Sequence, residues 1–195
     1  DNDISGTDYT IGFDTAVQVA IEAVDRIRDT ASSHDRTFLV EVMGRSSPAI
    51  AIHVAVCTGA ENIVFSQQEI QYDKISEHIK RGVARGKNSS IIIVTEGDKP
   101  GLAYQVQEKL HKDFNLDAHV CILGHIQRGG APSHMDRFIA SRMGYMAVKS
   151  LVDGNYPLVT VYRDGHVTTA PFIECIQDKL GFDKSELELV RLLSI

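Results

Sequence analysis

At 195 residues the chain is long enough for one full domain or one and a half small ones. Its 43% hydrophobic and 24% charged content is ordinary for a soluble globular protein. A net charge of −6 argues against nucleic acid or an anionic membrane as a general partner, so any anionic ligand needs local positive clusters. No apolar run approaches the roughly 18 residues of a membrane span. Cys57, Cys121 and Cys175 are widely spaced and lie mostly in apolar runs; they read as reduced core cysteines of a cytoplasmic protein, not as a disulfide framework or a metal site. No signal peptide is visible, and the opening Asp1-Asn2-Asp3, without an initiator Met, reads as the middle of a longer polypeptide.

Residues 1–12 are polar and turn-like. Asp1 and Asp3 place two carboxylates on one short loop, which by default is an exposed acidic turn but is also what proton abstraction or a magnesium site requires. From Asp14, a plausible N-cap, Ala16, Val17, Ala20, Ile21, Val24 and Ile27 recur at helical spacing, with Arg26 and Arg28 near the end. A polar loop, Ser32 to Arg36, leads to an almost wholly apolar strand over 37–42, the pattern of a strand covered on both faces. Met43-Gly44-Arg45 follows directly. Ser47 as N-cap and Pro48 at the first helical position then open a helix that stops at Gly59. A strand, a Gly-Arg loop and a helix N-terminus together suit an anion.

Further strands are predicted over 62–65, 90–95 and 117–123, and further helices over 73–85, 101–114 and 135–152. Glu96 sits at the carboxyl end of the third strand. Asp164-Gly165 between 158–163 and 166–169 signals a two-residue hairpin. Asp183 caps a last helix, with Glu186 in capping-box spacing. Alternating strands and helices through residues 14–126 predict an α/β fold with a parallel sheet covered on both faces, whose ligands bind at the carboxyl ends of the strands.

The string Gly124-His125-Ile126-Gln127-Arg128-Gly129-Gly130 leaves such an end. Its guanidinium can grip a phosphate or carboxylate bidentately, and its glycines let backbone N–H groups approach a ligand. A tight turn with a solvated Arg is the alternative reading.

These strings resemble those of the 6-phosphofructokinase family: Asp1-Asn2-Asp3-Ile4 with Gly6-Thr7-Asp8, Met43-Gly44-Arg45, Thr95-Glu96 and Gly124–Gly130, in that order and at close to that spacing. Asp25 to Thr30 and Ala140-Ser141-Arg142-Met143-Gly144 add to the likeness, which runs over essentially the whole chain. The resemblance implies phosphoryl transfer from ATP, with Mg2+, to the 1-hydroxyl of fructose 6-phosphate in the cytoplasm. It implies Asp1 as the base, Asp3 as its companion near magnesium, Met43, Gly44 and Arg45 as the sugar-phosphate loop with Arg45 on the transferring phosphoryl, and Glu96 on the sugar hydroxyls. His125 and Arg128 would hold the 6-phosphate. Arg36 matches an arginine that reaches the neighbouring subunit's 6-phosphate, which implies a homo-oligomer, usually a tetramer. His119 stands where a second such arginine is common; a histidine there predicts weaker, more pH-dependent binding.

An effector site for ADP or phosphoenolpyruvate is implied at Arg28, Gly59, Glu61, Arg85 and Lys87, with Glu61 as its magnesium contact. Read without the resemblance, Arg85-Gly86-Lys87 is a cationic helix C-terminus. The resemblance also implies two domains. Residues 13–126 with 176–195 match the substrate and effector domain, and 1–12 with 127–175 match part of a nucleotide domain whose Gly-rich phosphate loops are not in this sequence. The chain is therefore expected to be a fragment, inactive by itself. A pyrophosphate-dependent enzyme is the alternative within the class; a non-catalytic regulatory subunit is the alternative outside it, disfavoured by retention of both Asp1 and Asp3.

Overall fold

The computed structural model describes residues 1–31, 36–65, 69–87, 89–177 and 184–193. The order is α1 (Phe13–Ala31), β1 (Arg36–Val42), α2 (Ala49–Thr58), β2 (Asn62–Val64), α3 (Tyr72–Ala84), β3 (Ser89–Thr95), α4 (Leu102–Phe114), β4 (Ala118–Ile122), a 3-10 helix (Gly124–Arg128), α5 (His134–Val152), β5 (Leu158–Arg163), β6 (His166–Pro171), α6 (Phe172–Cys175) and α7 (Lys184–Leu193).

Four parallel strands form one sheet in the order β2-β3-β1-β4. The apolar runs in β1 and β3 follow from burial on both faces. Val40, Val42, Ile91 and Ile93 pack against α1 and α2, while Leu39, Ile92 and Val94 pack against α3 and α4. The fold is thus the expected α/β arrangement. Glu41 interrupts the run and shares the face of Leu39. Its buried carboxylate accepts the Gly101 and Ala103 amides at 2.7 and 2.8 Å, closing the start of α4. Burial pushes this carboxyl above its usual range, the two amides opposing the shift.

β5 and β6 make a separate antiparallel hairpin. Asp164 and Gly165 both take positive φ, 50° and 79°, as the predicted turn requires. Residues 6–8 lace onto it: the Asp8 amide donates to Tyr162 O at 2.8 Å, the Tyr162 amide donates to Thr7 Oγ1 at 3.0 Å, and the Asp164 amide donates to Asp8 Oδ2 at 2.8 Å.

Several local expectations change. Asp14 lies inside the first turn of α1, and the carboxylate at that helix start comes from Asp136 instead: the Gly12 and Thr15 amides donate to it at 2.6 and 2.9 Å. α2 starts one residue later than predicted, with Pro48 at the cap position. The segment 124–128, read as loop, is a 3-10 helix, and the short α6 was not anticipated. Cys57 is exposed on α2 and not in the core; Cys121 and Cys175 are half-buried. Burial pushes the Cys121 thiol up. Ser32 to Asp35 and the predicted cap Asp183 lie outside the described residues. Among the described residues no helix is long and apolar enough to cross a membrane.

Candidate active site

Parallel pairing brings the residues after β1, β3 and β4 out on one rim. Val42 pairs with Thr95 and Glu41 with Ile122, and the next residues stay in line: the Glu96 amide donates to Val42 O and the Leu123 amide to Glu41 O, both at 3.0 Å. Met43-Gly44-Arg45, Glu96 and the 3-10 helix therefore leave the sheet side by side. Gly44 has φ +138°, and a Cβ there would meet Ser47 O at 2.6 Å, so this turn requires glycine. The Met43 amide donates to Gln127 Oε1 at 2.8 Å, which ties the loop after β1 to the helix after β4.

Asp1, Asp3, Met43, Gln127, Arg128 and Asp136 line one cavity of about 900 Å3. Arg137 of α5 also faces it and donates to Pro132 O at 2.9 Å. Asp136 is only 4% exposed. It accepts from the Tyr9 hydroxyl at 2.6 Å, the Thr15 hydroxyl and the two amides at the start of α1. Ser133 caps α5 by accepting the Asp136 amide at 3.2 Å. Carboxylates and guanidiniums lining one cavity form a site that can remove a proton and hold an anion. Asp1 and Asp3 also suit magnesium, which takes one or two carboxylates and completes its shell with water and phosphate oxygens. Among the described residues no three candidate ligands converge.

The other predicted residues are spread more widely. Arg45 is exposed at the rim with Nε 3.7 Å from Asp98. Glu96 is half-buried and His125 exposed, both on the same rim. Arg36 begins β1, and His119 pairs with Phe38, their rings 5.3 Å apart. With a rise of roughly 3.3 Å per residue, Arg36 lies about 23 Å along β1 from Met43. It cannot share the cavity of its own chain.

A second cavity of about 800 Å3 opens along β2, with α3 and α7 beside it. Glu61, Arg85 and Lys87 line it, joined by Arg81 and Arg191, which the sequence did not single out. Glu61 is engaged on both oxygens, by Lys87 Nζ at 2.8 Å and by the Ile91 amide. The carboxylate is thus already paired with a cation. Burial, then the neighbouring Arg81, push the His78 imidazole in this cavity below its usual range. Arg28 does not line the cavity; it donates to Thr58 O at 2.6 Å, beside the left-handed cap Gly59.

A model of the family described as phosphofructokinase matches residues 1–151. The chain belongs to the phosphofructokinase family. It is 43% identical over its full 195 residues to the ATP-dependent 6-phosphofructokinase 1 of Thermus thermophilus, covering 61% of that protein. It is 45% identical to the ATP-dependent 6-phosphofructokinase of Staphylococcus carnosus, covering 60% of it. The chain thus spans about three fifths of the length of these curated relatives. The solved phosphofructokinase structure from Saccharomyces cerevisiae superposes on 90% of the chain and 25% of its own, with a TM-score of 0.82 at 30% identity. Within this phosphofructokinase chain, Gln127, Asp136 and Arg137 are the rim residues that sequence reasoning left without a role. Gln127 stood inside a recognised string but drew no notice beside its charged neighbours.

Proposed function

We propose that the chain carries the acceptor-binding and effector-binding parts of an ATP-dependent 6-phosphofructokinase, which transfers the γ-phosphoryl group of ATP to the 1-hydroxyl of fructose 6-phosphate. The convergence of Asp1, Asp3, Met43 and Arg128 on one cavity supports this most directly. Arg128 and His125 grip the 6-phosphate, Arg128 with its planar fork. Glu96 accepts from the sugar hydroxyls, and the Met43–Arg45 loop closes over the substrate. Asp1 takes the proton of the 1-hydroxyl as its oxygen bonds to the γ-phosphorus and the bond to the departing ADP oxygen breaks. Arg45 moves from Asp98 to the transferring group. A magnesium ion held beside Asp3 would neutralise charge on the donor phosphates.

In this reading residues 13–126 with 176–195 form the substrate and effector domain, and 1–12 with 127–175 belong to the nucleotide domain. Arg36 and His119, remote from their own cavity, serve the 6-phosphate site of a neighbouring subunit in a cytoplasmic homotetramer. Arg85 and Lys87 hold the phosphates of ADP or phosphoenolpyruvate in the second cavity, flanked by Arg28 and Gly59. A cation bound at Glu61 would compete with Lys87 for its carboxylate.

The test is turnover of the intact natural polypeptide with fructose 6-phosphate and either ATP or pyrophosphate, beside an Asp1→Ser variant. Turnover with ATP that the substitution abolishes, with sugar-phosphate binding retained, is expected. Preference for pyrophosphate would replace the donor, and undiminished turnover by Asp1→Ser would remove the catalytic assignment.

A further inference from the structure

Gln127 joins the loop after β1, the helix α1 and the 3-10 helix after β4. It is 1% exposed although amides are usually found at the surface. Its Oε1 accepts the Met43 amide at 2.8 Å, and its Nε2 donates to Ala16 O at 3.1 Å. The orientation of the amide is thereby fixed, since only its oxygen can face an N–H and only its nitrogen can face a carbonyl. A buried polar side chain with both ends satisfied holds its partners at a defined separation, because moving either one leaves a group unpaired. Its sequence neighbour Arg128 lines the same cavity as Met43.

We infer that Gln127 is a positioning residue for sugar-phosphate binding, its side-chain amide locking the Met43–Arg45 loop in register with Arg128. This rests on the proposed function for the identity of the ligand and goes beyond it in assigning the residue. Gln127 touches no substrate in this scheme; it acts through the Met43 amide. Its loss raises the concentration of fructose 6-phosphate needed and leaves the ATP requirement near that of the parent protein.

The experiment uses the intact natural polypeptide with Gln127→Leu and Gln127→Glu. Gln127→Leu leaves the Met43 amide without its acceptor, and the KM for fructose 6-phosphate is expected to rise about tenfold, with the KM for ATP within about twofold of the parent. Gln127→Glu is the more discriminating variant. Protonated, its carboxyl can accept from Met43 and donate to Ala16 O; ionised, it turns a charge towards that carbonyl. Fructose 6-phosphate affinity of Gln127→Glu relative to the parent should therefore recover between pH 7.5 and pH 5.5. The parent run in parallel cancels titration of the substrate and of every group around the cavity that the two proteins share. Parent-like affinity of Gln127→Leu at pH 7.5 would overturn the inference. So would a flat pH ratio for Gln127→Glu should the leucine variant fail to fold. A parent protein that binds no fructose 6-phosphate would overturn the proposed function, and this inference with it.

Discussion

The Tyr9 hydroxyl donates to Asp136 Oδ1 at 2.6 Å across 127 residues of sequence. Burial, and then the bond and charge of Asp136, hold that hydroxyl well above its usual range, so it remains a donor at every pH the protein meets. Burial alone would push the Asp136 carboxyl up. The hydrogen bonds from Thr15, Tyr9 and the Gly12 and Thr15 amides outweigh it, and the carboxyl lies below its usual range. Replacing Asp136 by Asn turns an amide nitrogen towards donors and should cost about 3 kcal/mol of unfolding free energy, against about 1 kcal/mol for Tyr9→Phe. Urea denaturation at neutral pH checks both. A loss below 1 kcal/mol for Asp136→Asn would mean that the cluster contributes little.

The same carboxyl sets an acid limit. Its folded-state value is depressed, so its stabilisation is complete above the unfolded value of about 3.9 and is lost as pH falls through the folded one. The deficit of Asp136→Asn relative to the parent should therefore be full at neutrality and shrink below about pH 4. Melting temperatures of the two proteins across that window test it, and a gap that stays constant to pH 3 would contradict it.

Gly44→Ala should disable the rim. The added Cβ meets Ser47 O at 2.6 Å, and φ of +138° is unavailable to alanine without strain. Distortion of the loop, at about 1–3 kcal/mol, should weaken fructose 6-phosphate binding by tenfold or more. Calorimetric titration would register this, and an unchanged affinity would show that the loop tolerates a side chain.

At the second cavity Arg85 is exposed, so Arg85→Ala should fold normally. A charge-assisted hydrogen bond contributes about 1.5–3 kcal/mol, so its loss should weaken ADP binding at least tenfold. Fructose 6-phosphate binding without effector should be unchanged. Equal ADP affinity in parent and variant would move the effector reading elsewhere.

His119→Arg places a guanidinium near the start of β4. If that position serves a neighbouring subunit, fructose 6-phosphate affinity should rise severalfold in the oligomer, with no change in a dissociated protomer. Affinity measured at protein concentrations above and below the dissociation range separates the two cases.

The sheet was legible because its cause is local: short apolar runs such as 37–42 and 90–95, rich in β-branched residues and bounded by Gly and polar turns, have the pattern of strands covered on both faces. The rim was legible for the same reason, since parallel strands deliver their carboxyl ends together. What the sequence concealed is long-range. Asp136 carries no local signal at the start of α5, and only the fold brings Gly12, Tyr9 and Thr15 to it. Asp14 was the natural candidate for that helix start because its carboxylate is close in sequence. Glu41 broke an apolar strand without explanation until α4 supplied two amides. The 3-10 helix at 124–128 escaped notice because three glycines in seven residues signal a loop, whereas packing of Gln127 gives the segment its turn.

The separation between Tyr9 and Asp136 also sets an order of events during synthesis. A ribosome adding about 5–20 residues each second needs roughly 6–25 s to pass from one to the other. Throughout that interval the segment with Asp1 and Asp3 has no anchor on α5, whereas β1, β3 and the helices between them are all made before α5 and can pair without it. The sheet can assemble on the growing polypeptide well before the cavity exists. Nascent chains arrested ahead of α5 would then hold a protected sheet while Tyr9 stays open to modification, and competence to engage a ligand would arrive in a single late step.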